Sequence, residues 1–306
     1  MASQESRKSM TLKVVIFSHE RPADLLNSVT HWRQLMPEFP LVVVDDRSKS
    51  LTMKRLLKRL ATNGIEVWQR NERGASQLGG LYRNMEWAYK RLWSEGWRFV
   101  IFSQDDIQPV RTVDSYEVAR WLEYMCAHSD VWQIDLRFSQ KPFDESVTDI
   151  GWEVDREHRV AVPSLDHPFA HFADVGLVDL SKLVDLDWHF LDSEVENNTH
   201  AKQCGLRRVV ALDPVVMHTP WPRIRRRGWK GHVVRFIELI MGAGTHPFEP
   251  MSSTEISILR QREPTMLASG NVWLKTKDPN VRRPYHYRGA HIPLIKRLQA
   301  VGLWPR

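Results

Sequence analysis

The order of apolar and amphipathic stretches predicts an α/β fold: a mainly parallel, Rossmann-like sheet flanked by helices, followed by a basic, partly helical C-terminal extension. Three observations carry this expectation. Four short apolar runs, Leu12 to Phe17, Leu41 to Val44, Ile65 to Trp68 and Phe99 to Phe102, are separated by stretches of helical periodicity. The longer runs are apolar nearly throughout rather than alternating, as in strands covered on both faces. Two of the runs end in adjacent carboxylates, Asp45-Asp46 and Asp105-Asp106. In open α/β sheets, ligands bind beyond the carboxyl ends of strands.

Taken in order, residues 1 to 10 read as a disordered leader. After the first strand, Ser18-His19-Glu20-Arg21-Pro22 turns into a helix with proline at its first position. Leu25, Leu26, Val29, Trp32 and Leu35 follow at helical spacing until Pro37 and Pro40. The second strand leads through Asp45-Asp46-Arg47-Ser48 into a basic amphipathic helix, Leu51 to Ala61. Asn63-Gly64 turns into the third strand, and a polar loop, 70 to 80, precedes a helix from Leu81 to Trp93. The fourth strand ends in Gln104-Asp105-Asp106. A helix from Val113 to Cys126 and a fifth strand from Val131 to Leu136 continue the alternation, which implies right-handed crossovers. Residues 138 to 170 read as irregular, with a hairpin and a loop. Asp192 to Cys204 reads as a helix closed by Gly205, Arg207 to Leu212 as a strand, and His218 as standing at another strand end.

The chain has 306 residues, enough for a sizeable core. It has no apolar run long enough to cross a bilayer, and its start lacks the apolar segment of a signal peptide. The expected location is the cytoplasm, where Cys126 and Cys204 would be buried reduced thiols; two cysteines allow no zinc spacing. The net charge of +6 is unevenly spread. Residues 221 to 306 hold 16 Lys and Arg against 5 Asp and Glu, whereas the rest holds 27 against 32. That asymmetry points to a polyanionic or membrane-surface partner for the C-terminal region.

Two hard anionic oxygens beyond the fourth strand suit Mg²⁺ or Mn²⁺, and such an ion could hold a diphosphate. No dinucleotide fingerprint follows the first strand, and the segment from Gly74 to Gly80 lacks the Lys-Ser/Thr of a P-loop. A nucleotide can still be held without a glycine cradle, by acids reading base and ribose and by a metal on the diphosphate.

The order of these motifs resembles the GT-A-fold glycosyltransferases of the family 2 type, which use nucleotide sugars. The matching positions, over roughly residues 11 to 218, are Ser18-His19-Glu20-Arg21-Pro22, Asp45-Asp46-Arg47-Ser48, Gly74 with Arg83-Asn84, Gln104-Asp105-Asp106, and Asp192-Ser193-Glu194-Val195-Glu196 ahead of Gly205. The resemblance implies a GT-A domain over 11–218 and a basic acceptor-binding or lid region over 219–306. It implies that Asp45, with Asp46 beside it, meets the nucleobase, typically uracil, and that Ser18, Arg21 and Arg83 line the nucleotide pocket. Asp105 stands on the ribose side, and Asp106, with Asp105 and His218, binds the divalent ion. Glu194 falls where inverting members carry the base that deprotonates the acceptor, with Asp192 and Glu196 as rivals.

Two positions depart from the pattern. Gln104 replaces the first acid of Asp-x-Asp, and Ser193 replaces the Glu of the usual Glu-Asp pair. Beyond His218, Arg225, Arg226 and Arg227 cluster near Trp221, and Arg282, Arg283, Tyr285, Tyr287 and Arg288 form a second basic-aromatic group. That composition suits a nucleic-acid acceptor, such as a hydroxyl on a modified DNA base. A protein, glycan or lipid acceptor, or a lid over the donor's diphosphate, remain the alternatives, as does a catalytically dead scaffold that binds nucleic acid. His171 reads either as lining the acceptor cleft or as a core histidine.

Overall fold

The computed structural model describes residues 12–70, 80–168, 170–221, 242–281 and 283–285, with isolated positions 232, 236, 239, 297 and 301. The leader, most of the glycine loop, the arginines 225–227 and most of the apolar stretch 233–241 lie outside the described residues.

The expected α/β architecture is what the chain adopts. A nine-stranded sheet has the order β3-β2-β1-β4-β10-β6-β11-β9-β8. Strands β1 (Lys13–Ser18), β2 (Leu41–Asp45), β3 (Glu66–Trp68) and β4 (Phe99–Gln104) run parallel. They are joined through α1 (Pro22–Leu35), α2 (Leu51–Thr62) and α3 (Leu81–Ser94). A short β5 (Ile107–Pro109) and α4 (Ser115–Ala127) lead to β6 (Val131–Asp135).

The apolar runs of β1, β2 and β4 are buried on both sides, whereas β3 at the sheet edge leaves Glu66 exposed. Val14 and Ile16 of β1 face one cluster with Leu25, Val29 and Trp32 of α1, while Val15 and Phe17 face another with Met85, Ala88, Tyr89 and Leu92 of α3. Helix starts follow local chemistry. Ser50 caps α2 through the Met53 amide at 3.4 Å, and Asp114 caps α4 through the Glu117 amide at 2.9 Å.

The irregular segment 138–170 contains β7 (Glu145–Ser146) and a hairpin of β8 (Glu153–Asp155) and β9 (Val160–Val162). The hairpin extends the main sheet by pairing β9 against β11 (Arg207–Ala211). One central strand is new relative to the sequence reading. β10 (Gly176–Asp179) lies antiparallel between β4 and β6. Gly176 takes φ +147°, and a Cβ there would stand 2.5 Å from the Ile134 carbonyl oxygen, so only glycine admits this strand. After it come α5 (Leu180–Asp185), α6 (Glu194–Gln203), β11 and β12 (Val216–His218), which pairs with β5.

The expectation of two buried thiols is corrected for Cys126, which is exposed. The core-facing residues of α4 are Val118, Trp121, Leu122, Tyr124 and Met125, and position 126 falls off that face.

The described C-terminal residues do not stand apart. Helix α7 (Ser253–Gln261), β13 (Met266–Leu267) and α8 (Gly270–Trp273) pack around Phe248, Met251, Leu259 and Leu274. That cluster meets Val110, Phe138 and Met217 of the preceding part of the chain. Gln108 ties the two regions, accepting from the Phe248 amide and donating to the Phe248 carbonyl, both at 2.9 Å.

Candidate active site

The ends of β1, β2, β4 and β6 and the start of α6 bring most of the expected residues to one crevice. At the β2 end, Asp45 is fully buried. It accepts from the Ser48 hydroxyl at 2.6 Å, the Ser48 amide at 2.8 Å, the Ser18 hydroxyl at 3.5 Å and Gln69 Nε2 at 2.8 Å. Asp46 organises the next element. It accepts from the Gly80 amide at 2.8 Å and from Asn84 Nδ2 at 3.1 Å, at the start of α3. A Cβ on Gly80 would stand 2.8 Å from Asp46 Oδ1, so the close approach depends on glycine. Arg83, next to Asn84, is exposed.

At the β4 end, Asp105 and Asp106 are both buried and share one cation. Arg21 Nη1 lies 2.7 Å from Asp106 Oδ2 and 3.3 Å from Asp105 Oδ1, and the His19 amide donates to Asp105 Oδ2 at 3.2 Å. Burial and the neighbouring Asp106 push the Asp105 carboxyl above its ordinary range, with Arg21 opposing them. Against the desolvation of its own burial, Arg21 and His218 hold Asp106 well below the usual carboxylate range. The pair is thus split into one reluctant and one firm anion.

The remaining oxygen, Asp106 Oδ1, is buried without a hydrogen-bond partner. His218 Nδ1 faces it at 3.8 Å, beyond hydrogen-bond range. An unpartnered carboxylate oxygen beside an imidazole nitrogen fits a small divalent ion, with the remaining positions left to substrate phosphate and water. Asp105 does not join this set, because both its oxygens are turned to Arg21 and His19. Among the described residues no group of three or more His, Cys, Asp or Glu side chains could hold a metal. The backbone fixes the pair: the Thr219 amide and hydroxyl donate to the Asp106 carbonyl at 2.8 and 3.2 Å. Two residues on, Trp221 takes φ +48°, and its ring meets His246 edge-on at 6.4 Å.

Across from the carboxylate pair stands a second polar group that sequence reasoning missed. Asp135 at the end of β6 accepts from Arg137 Nε at 3.0 Å, Arg137 Nη2 at 2.8 Å and Arg208 Nη1 at 2.6 Å. Arg137 Nη1 then lies 3.5 Å from His218 Nε2 and 3.8 Å from Asp174 Oδ1. Asp174 accepts from Gln104 Nε2 at 2.6 Å. The loop bearing Asp174 is clamped by Gln133, which bonds both the amide and the carbonyl of Ala173, and by Asn198 of α6, which accepts from the His171 and Phe172 amides. His171 is a core histidine: it is buried, and its ring nitrogens meet the carbonyls of Leu206 and Leu165.

The three acids of the 192–196 cluster now separate. Asp192 is exposed, and Glu196 is exposed and bonded to Ser193, whose hydroxyl caps α6. Only Glu194 is partly buried, facing the Asp174, Arg137 and Arg208 group. Burial and the Asp174 charge raise its carboxyl above the ordinary value, with Arg137 and Arg208 opposing them. Burial, Asp174 and Glu194 likewise raise the Tyr82 hydroxyl. A carboxyl raised in this way holds a proton more readily than an ordinary glutamate.

No protein-family model and no curated protein matches the chain. Among solved structures it is similar to residues 1–349 of S. aureus TarS, at 12% identity over 82% of this chain and 69% of that one, TM-score 0.47. TarS 1–349 has also been solved with UDP and with UDP-GlcNAc. The chain is similar too to the mannosyltransferase PcManGT from Pyrobaculum calidifontis, solved with GDP-Man and Mn²⁺, at 13% identity over 79% of this chain and 71% of that one, TM-score 0.47.

Proposed function

We propose that the chain transfers a sugar from a nucleotide sugar, of the UDP class, to an acceptor hydroxyl, with inversion and with the help of a divalent ion. The observation that carries this reading is the pairing of two unlike acids. Asp106 is held as a firm anion with one free oxygen facing His218, while Glu194 is raised and partly buried. Between them lie His218, Arg137 and Asp174, with Arg137 3.5 Å from His218 and 3.8 Å from Asp174, and the Asp174 charge acts on Glu194. An inverting transfer needs that division: one side receives the leaving diphosphate, and the other removes the acceptor's proton.

Asp106 and His218 would hold Mn²⁺ or Mg²⁺, whose chemistry is to neutralise charge on the diphosphate. Arg21, already paired with both aspartates, would offer its charge to the same phosphates. The nucleobase is received at the β2 end, where Gln69 is the exposed partner of Asp45 and the one a base would displace. Gln104 donates to Asp174 through its side-chain amide and so fixes that acid beside Arg137. For the acceptor, the basic C-terminal composition favours a hydroxyl on DNA over one on a protein, glycan or lipid.

The test is UDP release from UDP-glucose, UDP-galactose and UDP-GlcNAc with and without Mn²⁺. Hydrolysis of at least one donor is expected, dependent on Mn²⁺ and lost in Asp106→Ala while circular dichroism is unchanged. No release from any of the three, together with no UDP binding by calorimetry, overturns the reading.

A further inference from the structure

The basic stretch from Arg47 to Arg59 has no part in the chemistry above. Between positions 47 and 64 the chain carries Arg47, Lys49, Lys54, Arg55, Lys58 and Arg59 and not one Asp or Glu. The structure turns all six to the surface. Met53, Leu56, Leu57 and Leu60 occupy the core face of α2, so the basic residues own its outer side. Arg33 of α1 adds a seventh exposed cation, across a groove that Arg59 lines from the other side.

Six of these cations, Arg47 aside, are not spent on ion pairs inside the fold. Among the described residues, none of the side chains of Arg33, Lys49, Lys54, Arg55, Lys58 and Arg59 takes part in an ion pair, whereas Glu66 on neighbouring β3 is taken by Lys13. Among the described residues, Glu38, beyond the end of α1, is another exposed acid close by in sequence. The helix is electrically built against itself. Lys54 and Lys58, and Arg55 and Arg59, are like charges four apart, which destabilise a helix. Its first turn has no acid to oppose the positive end of the dipole. A surface that concentrates charge at the expense of its own helix is matched by an anionic partner.

The nature of that partner follows from what the face lacks. It has no aromatic side chain between 47 and 64 on which single-stranded bases could stack. Its one exposed large apolar residue is Leu51, so it has no apolar row to enter a bilayer. What remains is charge in rows along a helix, the complement of a duplex phosphate backbone. The face also starts at the site. Ser48 binds Asp45, and Glu20 accepts from the amides of Lys49 and Ser50, so the N-terminal end of α2 borders the crevice.

We propose that the outer face of α2, with Arg47, Lys49 and Arg33 at its margins, docks the phosphate backbone of double-stranded DNA and so presents it beside the crevice. This deepens the reading of DNA as acceptor and rests on it.

The test uses the full chain and a fluorescein-labelled 20-base-pair duplex, with binding followed by anisotropy across a NaCl series. A variant carrying Lys54→Gln, Arg55→Gln, Lys58→Gln and Arg59→Gln keeps good helix formers on a solvent face. If each cation meets a phosphate, the slope of log affinity on log salt should become shallower by about 0.9 per residue, or roughly 3.6 for the four. UDP binding should stay unchanged. An unaltered slope in this variant overturns the role of α2, even if Arg225→Ala, Arg226→Ala and Arg227→Ala together do flatten the slope and so keep DNA as the acceptor. Wild-type protein that ignores the duplex at low salt but binds phosphatidylserine vesicles overturns the proposal in favour of a membrane surface. Neither outcome touches sugar transfer, which UDP release reports separately.

Discussion

Replacing Glu194 by glutamine should move two measurements in opposite directions. The amide keeps the size of the side chain, so the crevice and UDP binding should be retained. Loss of a positioned base costs about 10²–10⁴-fold in turnover, roughly 3–5 kcal/mol of barrier. Stability should change the other way. Burial and Asp174 raise the Glu194 carboxyl in the folded protein. A carboxyl raised above its unfolded value holds its proton better when folded, so it favours folding only at low pH. As pH rises through and above the unfolded value, the folded state is penalised for carrying the anion. Glutamine removes that penalty. The melting temperature of Glu194→Gln should therefore exceed that of wild type at pH 8, and the difference should vanish at pH 4 and below. Wild-type turnover should rise with pH through the raised value, and the residual rate of the variant should lose that limb. UDP release and differential scanning fluorimetry, each taken across pH, report the two effects. A variant that turns over at the wild-type rate, or that is destabilised at pH 8, refutes the argument. Normal turnover in Glu194→Gln with loss in Asp192→Asn would move the base to Asp192.

Two further expectations concern the scaffold. Arg111 is fully buried and bonded to Glu117 through both Nη atoms and to the carbonyls of Thr112, Asp213 and Pro214. Glu117→Gln strips its counter-charge and should cost about 3–5 kcal/mol by urea unfolding, and Arg111→Met with Glu117→Leu should not restore that loss, because it leaves the carbonyls of Thr112, Asp213 and Pro214 unpaired. Gly176→Ala places a Cβ against the Ile134 carbonyl in the middle of the sheet, so soluble expression and the cooperative melt should both suffer severely.

How much of this was legible before the structure depended on whether the residues act locally. The first four strands and their helices follow from apolar runs separated by stretches of helical periodicity and from proline at the first helical position of α1. β10 did not show because it is a four-residue strand that runs straight into the short helix α5, and its antiparallel pairing is a property of the whole sheet. The carboxylates after β2 and β4 could be located, since a strand end is a local feature. Asp174 and Arg137 could not, because each joins the crevice only when the β10 loop and the β6 end meet. The ambiguity among Asp192, Glu194 and Glu196 was likewise one of burial. Three acids in five residues look alike until the Ser193 cap takes Glu196 and α6 turns Glu194 inward.

The position of Arg21 sets how donor and ion should depend on each other. Its guanidinium already neutralises part of the Asp105–Asp106 pair, at 3.3 and 2.7 Å. A divalent ion arriving alone at Asp106 meets that resident cation at close range, which opposes it. A diphosphate arriving alone meets two buried carboxyls, which also oppose it. Arriving together, each screens the other's repulsion, and Arg21 can turn toward the phosphates. UDP and Mn²⁺ should therefore bind with positive coupling, in the usual range of about 1–3 kcal/mol, or 5- to 150-fold in affinity. Calorimetry of UDP at zero and saturating Mn²⁺, and of Mn²⁺ at zero and saturating UDP, should return the same factor in both orders. In Arg21→Met the ion alone should bind more tightly than to wild type, and the factor should shrink. Independent binding of UDP and Mn²⁺ to the wild-type chain would show that Arg21 does not compete for the carboxylates on which this argument rests.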